Sequence, residues 1–231
     1  MNRQARLSRQ ADLILDPGGF RIAVIGVGGI GSNAVHMALS MGYDSVTLFD
    51  PDEVGEENIY PGFFSMMHYG VDKVDAIADT MIGMYGDSIN LQGHAIKFED
   101  DPLNELFDIV IISTDTLESR QMMWERYSDM LCSGWWIDAR MGGTLATVYS
   151  VNMASPLAYQ DYTKELSEGE PGELPCGEKA TAPLTKGFIS GMIGQSLANI
   201  ANGEDAPHMQ RYDMGLGMMI KQDEPPRPKE N

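Results

Sequence analysis

The sequence predicts an α/β fold, a doubly wound and mainly parallel sheet with helices on both faces and antiparallel additions toward the C-terminal end. Three observations predict it. Apolar strand-like runs alternate with helix-period segments, and parallel neighbours need a crossover, usually helical, between them. The run Ile22 to Ile25 leads straight into a turn carrying Gly26, Gly28, Gly29 and Gly31, with a helix-like segment directly behind it. Asp50 closes the next strand, 24 residues after Gly26, where a nucleotide-binding βαβ unit places an acidic residue for the ribose. Together these define a Rossmann-like arrangement.

The elements follow in order. Residues 1–20 form a polar arm holding Arg3, Arg6 and Arg9, with a short helix over Arg6 to Leu15 and a turn at Asp16-Pro17-Gly18-Gly19. Ile22 to Ile25 is unbroken apolar sequence, as a strand buried on both faces requires. Asn33 to Met41 carries Ala34, Val35, Ala38 and Leu39 at helical spacing, and Gly42 stops it. Ser45 to Asp50 is the second strand, and a polar loop runs from Pro51 to Pro61. Val71 to Met84 reads as a helix, Ile89 to Phe98 as a strand, and Phe107 to Ser113 as a central strand. Leu117 to Leu131 is a helix. Trp135 to Asp138 and Leu145 to Asn152 are strands, the second pairing antiparallel. Ala154 to Ala182 lacks an apolar period in its middle and is expected to be a long mobile loop. Phe188 to Ile200 returns to helix, Arg211 to Ile220 is a last strand, and residues 222–231, QDEPPRPKEN, are expected to be a disordered tail. Residues 21–221 would thus form one nucleotide-binding domain.

Composition narrows the function. With 231 residues the chain is long enough for one sizeable core. Its net charge of −18 opposes both non-specific nucleic-acid binding and docking on anionic membranes. The basic N-terminus lacks the apolar block of a signal peptide, and no apolar run reaches membrane-spanning length. A cytoplasmic protein is expected. Two cysteines, Cys132 and Cys176, cannot build a disulfide framework, and without a Cys-x-x-Cys pair no structural zinc site is expected. Cys132 follows apolar residues and reads as buried. His36, His68, His94 and His208 lack ligand spacing.

Four features carry chemistry: the glycine turn ending in Ser32; Asp50-Pro51-Asp52-Glu53-Val54 with Asn58; Gly70-Val71-Asp72-Lys73 at a helix start; and Asp115, just past the apolar strand, with Arg120 on the next helix. Glycines let the backbone approach a phosphate, and the free N–H groups of a helix start favour an anion. In a doubly wound sheet the carboxyl ends of the strands line the ligand crevice, which here would gather Asp50, Asp115 and Arg140. Carboxylates, a lysine and an arginine around a glycine nest suit a nucleoside triphosphate with magnesium. A glycine turn with Asp50 also suits an NAD-dependent oxidoreductase, though hydride transfer does not call for Asp52, Asn58, Lys73 or Asp115.

These features, in this order, resemble the ThiF/MoeB/HesA family, bacterial relatives of ubiquitin-activating enzymes. The matching elements are Arg6-Leu7-Ser8-Arg9-Gln10, Gly26 to Ser32, Asp50 to Val54 with Asn58, Gly70 to Lys73, Thr114-Asp115, and Cys176 ahead of an apolar helix. The resemblance runs from about Arg6 to Gly203. It implies carboxylate adenylation with ATP and Mg2+, the carboxylate often being the C-terminal glycine of a small ubiquitin-like or sulfur-carrier protein. It places Gly26, Gly28, Gly29 and Gly31 in the phosphate turn, Asp50 and Asp52 in the nucleotide pocket with Asp50 on the ribose, Asn58 and Lys73 on the phosphates, and Asp115 on magnesium. It implies a homodimer in which Arg9 reaches the neighbouring subunit's nucleotide, and a cysteine, Cys176, for thioester or persulfide transfer. The family's Asn-Leu-x-Arg-Gln is replaced here by Asn58-Ile59-Tyr60-Pro61-Gly62, so proline stands where an arginine is expected. Arg140, at a strand end, is the substitute the sequence suggests. A weakened enzyme or a scaffold of the same fold is the alternative.

Overall fold

The computed structural model describes residues 5, 7–98, 106–128, 133–168 and 183–226. Within them lie β1 (Arg21–Ile25), α1 (Gly31–Met41), β2 (Ser45–Phe49), α2 (Lys73–Tyr85), β3 (Asn90–His94), β4 (Ile109–Ile112), α3 (Leu117–Tyr127), β5 (Trp135–Gly142), β6 (Leu145–Asn152), α4 (Pro156–Glu168), α5 (Pro183–Ala201), β7 (Met209–Asp213) and β8 (Met218–Gln222). The strands form one sheet in the order β3-β2-β1-β4-β5-β6-β7-β8. From β3 to β5 the pairing is parallel, and from β5 to β8 it is antiparallel. The predicted fold class is therefore the observed one.

β1 shows why an unbroken apolar run was needed. It pairs with β2 on one side and β4 on the other, and a helix layer covers each face. Ile22 and Val24 enter the core under α1 and α5, while Ala23 and Ile25 enter the opposite core with Trp124, Trp136 and Tyr162. Successive side chains of a strand point to opposite faces, so both faces must be apolar. Gly42 ends α1 in the left-handed conformation (φ 102°), returning its N–H to the carbonyls of Ala38 and Leu39.

The second half departs from expectation at several places, among them β5, which was expected to end at Asp138 and runs on through Arg140 to Gly142. Pro156–Glu168 is a helix and not loop, burying Ala158, Tyr162 and Leu166 along an i, i+4 stripe. The acidic, glycine-rich sequence after it obscures that stripe. Residues 169–182, the rest of the expected loop and the home of Cys176, lie outside the described residues, as does Cys132. The expected single strand over Arg211 to Ile220 is a hairpin, β7 and β8, turning through Gly217 at φ 64°. Gln222, expected in the tail, is the last residue of β8, and 227–231 lie outside the described residues. The strand expected to reach Phe98 stops at His94.

The arm is not a free solvated segment over its described part. The Gln10 side-chain amide donates to the Ser40 carbonyl (2.8 Å), and Leu13 and Leu15 exchange backbone hydrogen bonds with the Asn202 side chain. No helix among the described residues is long and apolar enough to cross a membrane.

Candidate functional site

Between β2 and β4, β1 is the strand at which the sheet order reverses, and a cleft opens at the carboxyl ends of these strands. It measures about 390 Å³ and is lined by Gly26, Gly28, Gly29, Asp50, Asp52, Pro61, Lys73, Lys97, Thr114 and Asp115 among others.

The glycine turn forms one wall, and its glycines serve different ends. Gly26 has φ 83°, and a Cβ there would lie 3.0 Å from the Ser113 carbonyl oxygen. A Cβ at Gly31 would overlap the Gly26 carbonyl oxygen, because α1 starts directly against the turn. At Gly28 a Cβ would meet nothing within 4 Å. The apo fold gives no packing reason for that glycine, whereas a ligand pressed against the turn does. The first turn of α1 carries no acidic residue and Ile30 supplies no side-chain cap; the Ser32 N–H donates to the Gly28 carbonyl at 3.0 Å, and the positive end of the helix faces the turn without a competing side-chain anion.

Asp50 is 5% exposed and ties the second strand to the turn. Its carboxylate accepts from the backbone N–H of Val27 (2.6 Å) and of Asp52 (2.9 Å). Burial pushes its pKa up, against the pull of those two hydrogen bonds and of Lys73, 3.9 Å away. A carboxylate has about four acceptor sites, so two remain for hydroxyl groups.

Lys73 reaches the cleft because the loop before it folds back. Val54 and Gly70 bond across the loop (Val54 N–H to Val71 O, 2.8 Å; Gly70 N–H to Val54 O, 3.0 Å), and the Lys73 N–H donates to the Asp52 carbonyl at 2.9 Å. Its ammonium then meets the Asp52 carboxylate at 2.8 Å. Asp115 stands exposed on the opposite side, at the entry to α3. The carbonyl of its neighbour Thr114 accepts from the Arg120 guanidinium, which holds that segment in place.

Magnesium fits this arrangement. Among the described residues no group of three or more His, Cys, Asp or Glu is placed to hold a metal alone. One carboxylate plus phosphate oxygens and water is an ordinary magnesium setting, and Asp115 is the exposed carboxylate that could supply it.

Several expected site residues stand elsewhere. Asn58 does not line the cleft; its Oδ1 caps the short turn behind it, accepting from Gly55 N–H at 2.9 Å. Arg120 and Arg140 both turn to Asp138, which is fully buried. Arg140 Nε donates to Asp138 at 2.7 Å, Nη1 faces Glu165 at 3.5 Å, and the guanidinium carbon lies 5.0 Å from the Tyr149 ring centre. Arg140 is not among the residues lining the cleft, which corrects the placement expected from the sequence: its side chain is buried against Asp138, with Nη2 left without a hydrogen-bond partner. Burial alone would raise the Asp138 pKa, but the two arginines and the Tyr162 hydroxyl outweigh it and hold it below the usual range. Arg9 lies exposed beside Gln10 at the far end of α1 from the glycine turn, outside its own chain's cleft. Cys176 falls outside the described residues.

Lys97 lines the cleft and was not anticipated. It sits in irregular chain after β3, in a stretch expected to be strand, and no motif marks it. Phe98 beside it packs edge-on against Phe49 (4.9 Å between centroids), giving this end an apolar wall with Met122 and Met123.

A doubly wound sheet whose strand ends carry a glycine turn, a buried aspartate, a lysine and an exposed aspartate around one cleft defines a Rossmann-like α/β protein. The chain belongs to the ThiF family, whose model matches residues 7–222. Ubiquitin-like modifier-activating enzyme 5 of Oryza sativa subsp. japonica is 26% identical over 216 residues, 82% of this chain and 50% of that protein. The protein of the same name from Bombyx mori is 32% identical over 112 residues, 43% of this chain and 28% of that protein. The chain thus spans half or less of the curated relatives it matches. Among solved structures, E. coli MccB with AMPCPP and MccA superposes with TM-score 0.70 at 15% identity, covering 99% of this chain and 74% of that one. MccB with ATP gives 0.69 at 14% identity, covering 95% and 67%. PaaA gives 0.69 at 16% identity, covering 95% and 72%. These structural likenesses establish the fold.

Proposed function

We propose that this chain adenylates a carboxylate with ATP and magnesium. The observation that carries the reading is the cleft itself. A glycine turn with open space at Gly28, a helix start without an acidic cap, Lys73 and Asp115 converge on one volume. Family membership and a relative solved with ATP support the choice of nucleotide.

Asp50 would accept from the ribose hydroxyls, and the glycine turn and Lys73 would hold the phosphates. Asp115 would ligate magnesium, which neutralises phosphate charge when bound. In the reaction a carboxylate oxygen attacks the α-phosphorus, the bond to the bridging oxygen of the β-phosphate breaks, and pyrophosphate leaves. An acyl-adenylate remains. The oriented backbone N–H groups and Lys73 stabilise the charge that develops on the phosphate oxygens.

The carboxylate we propose is the C-terminal glycine of a small ubiquitin-like or sulfur-carrier protein, in line with the names of the curated relatives. Transfer to Cys176 would follow, and the working unit would be a homodimer sharing Arg9 across subunits. A weakened enzyme is the second reading, favoured by Pro61 at the cleft wall and by the sequestration of Arg140.

ATP–pyrophosphate exchange with candidate carrier proteins tests the proposal. Exchange that needs magnesium and is lost in Asp115→Asn supports it. Stabilisation by NAD and not by ATP with magnesium would transfer the cleft to the oxidoreductase class. ATP binding without exchange for any carboxylate would favour the scaffold.

A further inference from the structure

We infer that Lys186 is a phosphate-binding cation of this cleft, acting on the polyphosphate of a nucleoside triphosphate; the inference rests on the adenylation reading and deepens it. The cleft is short of free positive charge. Three carboxylates line it, Asp50, Asp52 and Asp115, against two lysines, Lys73 and Lys97. Lys73 is already bound to Asp52 at 2.8 Å, which leaves Lys97, at the other end of the cleft beside Phe98, against three carboxylates. Neither arginine near the strand ends is available, since both are held by the buried Asp138.

The Tyr60–Pro61 segment is fastened to the glycine turn. Asn33 Nδ2 donates both to the Gly29 carbonyl (2.6 Å) and to the Pro61 carbonyl (3.2 Å), and a Cβ at Gly29 would lie 3.2 Å from Pro61 Cβ. Pro61 is thus the wall facing the turn that would cradle phosphate. Lys186 stands directly behind that wall. Its ammonium donates to the Tyr60 carbonyl at 3.5 Å and lies 5.9 Å from the Phe63 ring centre.

Those interactions hold it weakly. A hydrogen bond of 3.5 Å is at the outer limit of the geometry, and Lys186 has no ion pair among the described residues. Its backbone, by contrast, is fixed. Thr185 is fully buried and donates to the Gly143 carbonyl at 3.1 Å, and Ile189 is fully buried one turn on. A rigid base with a loosely held cationic tip lets the ammonium leave the Tyr60 carbonyl and meet phosphate oxygens passing Pro61. A charged partner exchanges a marginal hydrogen bond for charge-assisted ones.

The test compares ATP with AMP in the presence of magnesium, by calorimetric titration of wild type, Lys186→Met and Lys186→Arg. The expected result is a loss of about tenfold in ATP affinity for Lys186→Met, AMP affinity within about twofold of wild type, and recovery in Lys186→Arg. Thermal denaturation without ligand should be unchanged, since the hydrogen bond to Tyr60 and the approach to the Phe63 ring are both weak. Equal ATP affinity in wild type and Lys186→Met overturns the inference while leaving adenylation standing. An equal loss of ATP and AMP affinity overturns it too, because a phosphate interaction beyond the α position cannot act on AMP. Failure of the wild type to bind either nucleotide overturns the adenylation reading and the inference together.

Discussion

Gly28→Ala should separate ligand binding from folding. Its φ is not in the left-handed region, and a methyl there meets nothing within 4 Å. Such a Gly→Ala change stabilises by about 0.4–1 kcal/mol through the unfolded chain. For a chain of this size that is a rise of roughly 1–4 °C in Tm. Gly31→Ala is the contrasting control. Its methyl would overlap the Gly26 carbonyl oxygen and lie 2.8 Å from Ser113 Oγ, and neither the turn nor α1 can yield cheaply. Overpacking of this kind costs about 1–3 kcal/mol, so Tm should fall by several degrees. The assay is thermal denaturation of each variant over a magnesium–ATP titration. At a hundred times its Kd a ligand adds about 2.7 kcal/mol to stability; a hundredfold weaker ligand at the same concentration adds about 0.4. Gly28→Ala should therefore melt at or above wild type without ATP and lose most of the ATP-induced rise. A wild-type response to ATP in Gly28→Ala would refute the claim that ligand fills this space. A large loss of stability in the same variant would refute the geometry of the turn.

Three further outcomes are expected. Asp138→Asn leaves Arg120 and Arg140 without their buried counter-charge and should cost about 3–5 kcal/mol in urea denaturation. Because the Asp138 pKa is depressed below the usual 3.8, its contribution is present above that value and lost as pH falls through the folded pKa, so the wild-type advantage over Asp138→Asn should shrink in acid. Arg140→Ala should lower stability while the folded protein keeps ATP affinity within about twofold, a selective loss of ATP binding being the contrary result. Burial raises the Asp50 pKa; on the proposed role, in which ribose hydroxyls would donate to its ionised form, ATP affinity should weaken as pH falls through that raised pKa, and Asp50→Asn should flatten the profile.

Legibility in the sequence followed locality. β1, the glycine turn and Asp50 were readable because each lies in a stretch whose pattern is set by its own neighbours: an apolar run buried on both faces, a turn needing open φ, a strand end. Lys73 was readable because it opens a helix behind a left-handed Gly70 (φ 76°). Pro156–Glu168 was missed because its buried stripe of Ala158, Tyr162 and Leu166 is interrupted by polar residues and followed by acidic sequence. Arg140 was misplaced for a different reason. It was expected just past a strand ending at Asp138, but β5 runs on to Gly142, so Arg140 lies inside the strand on the same face as Asp138, the partner that captures it.

By itself, the sequence determined the alternation of strand and helix, the parallel core of the sheet, the glycine turn and the carboxylates at strand ends, since these rest on periodicity and on backbone chemistry that each residue carries with it. Tertiary structure alone decided which cations face the cleft. Arg120, Arg140 and Lys186 all sit on long side chains whose destinations are chosen by their partners in the folded chain: Thr114 and Asp138 for Arg120, Asp138 for Arg140, and Tyr60 with Phe63 for Lys186, while the path of the chain after β3 brings Lys97 to the cleft. A buried carboxylate outcompetes an open cleft for a guanidinium, because leaving that carboxylate unpaired in the core costs more than leaving the cleft short of a charge that water can screen.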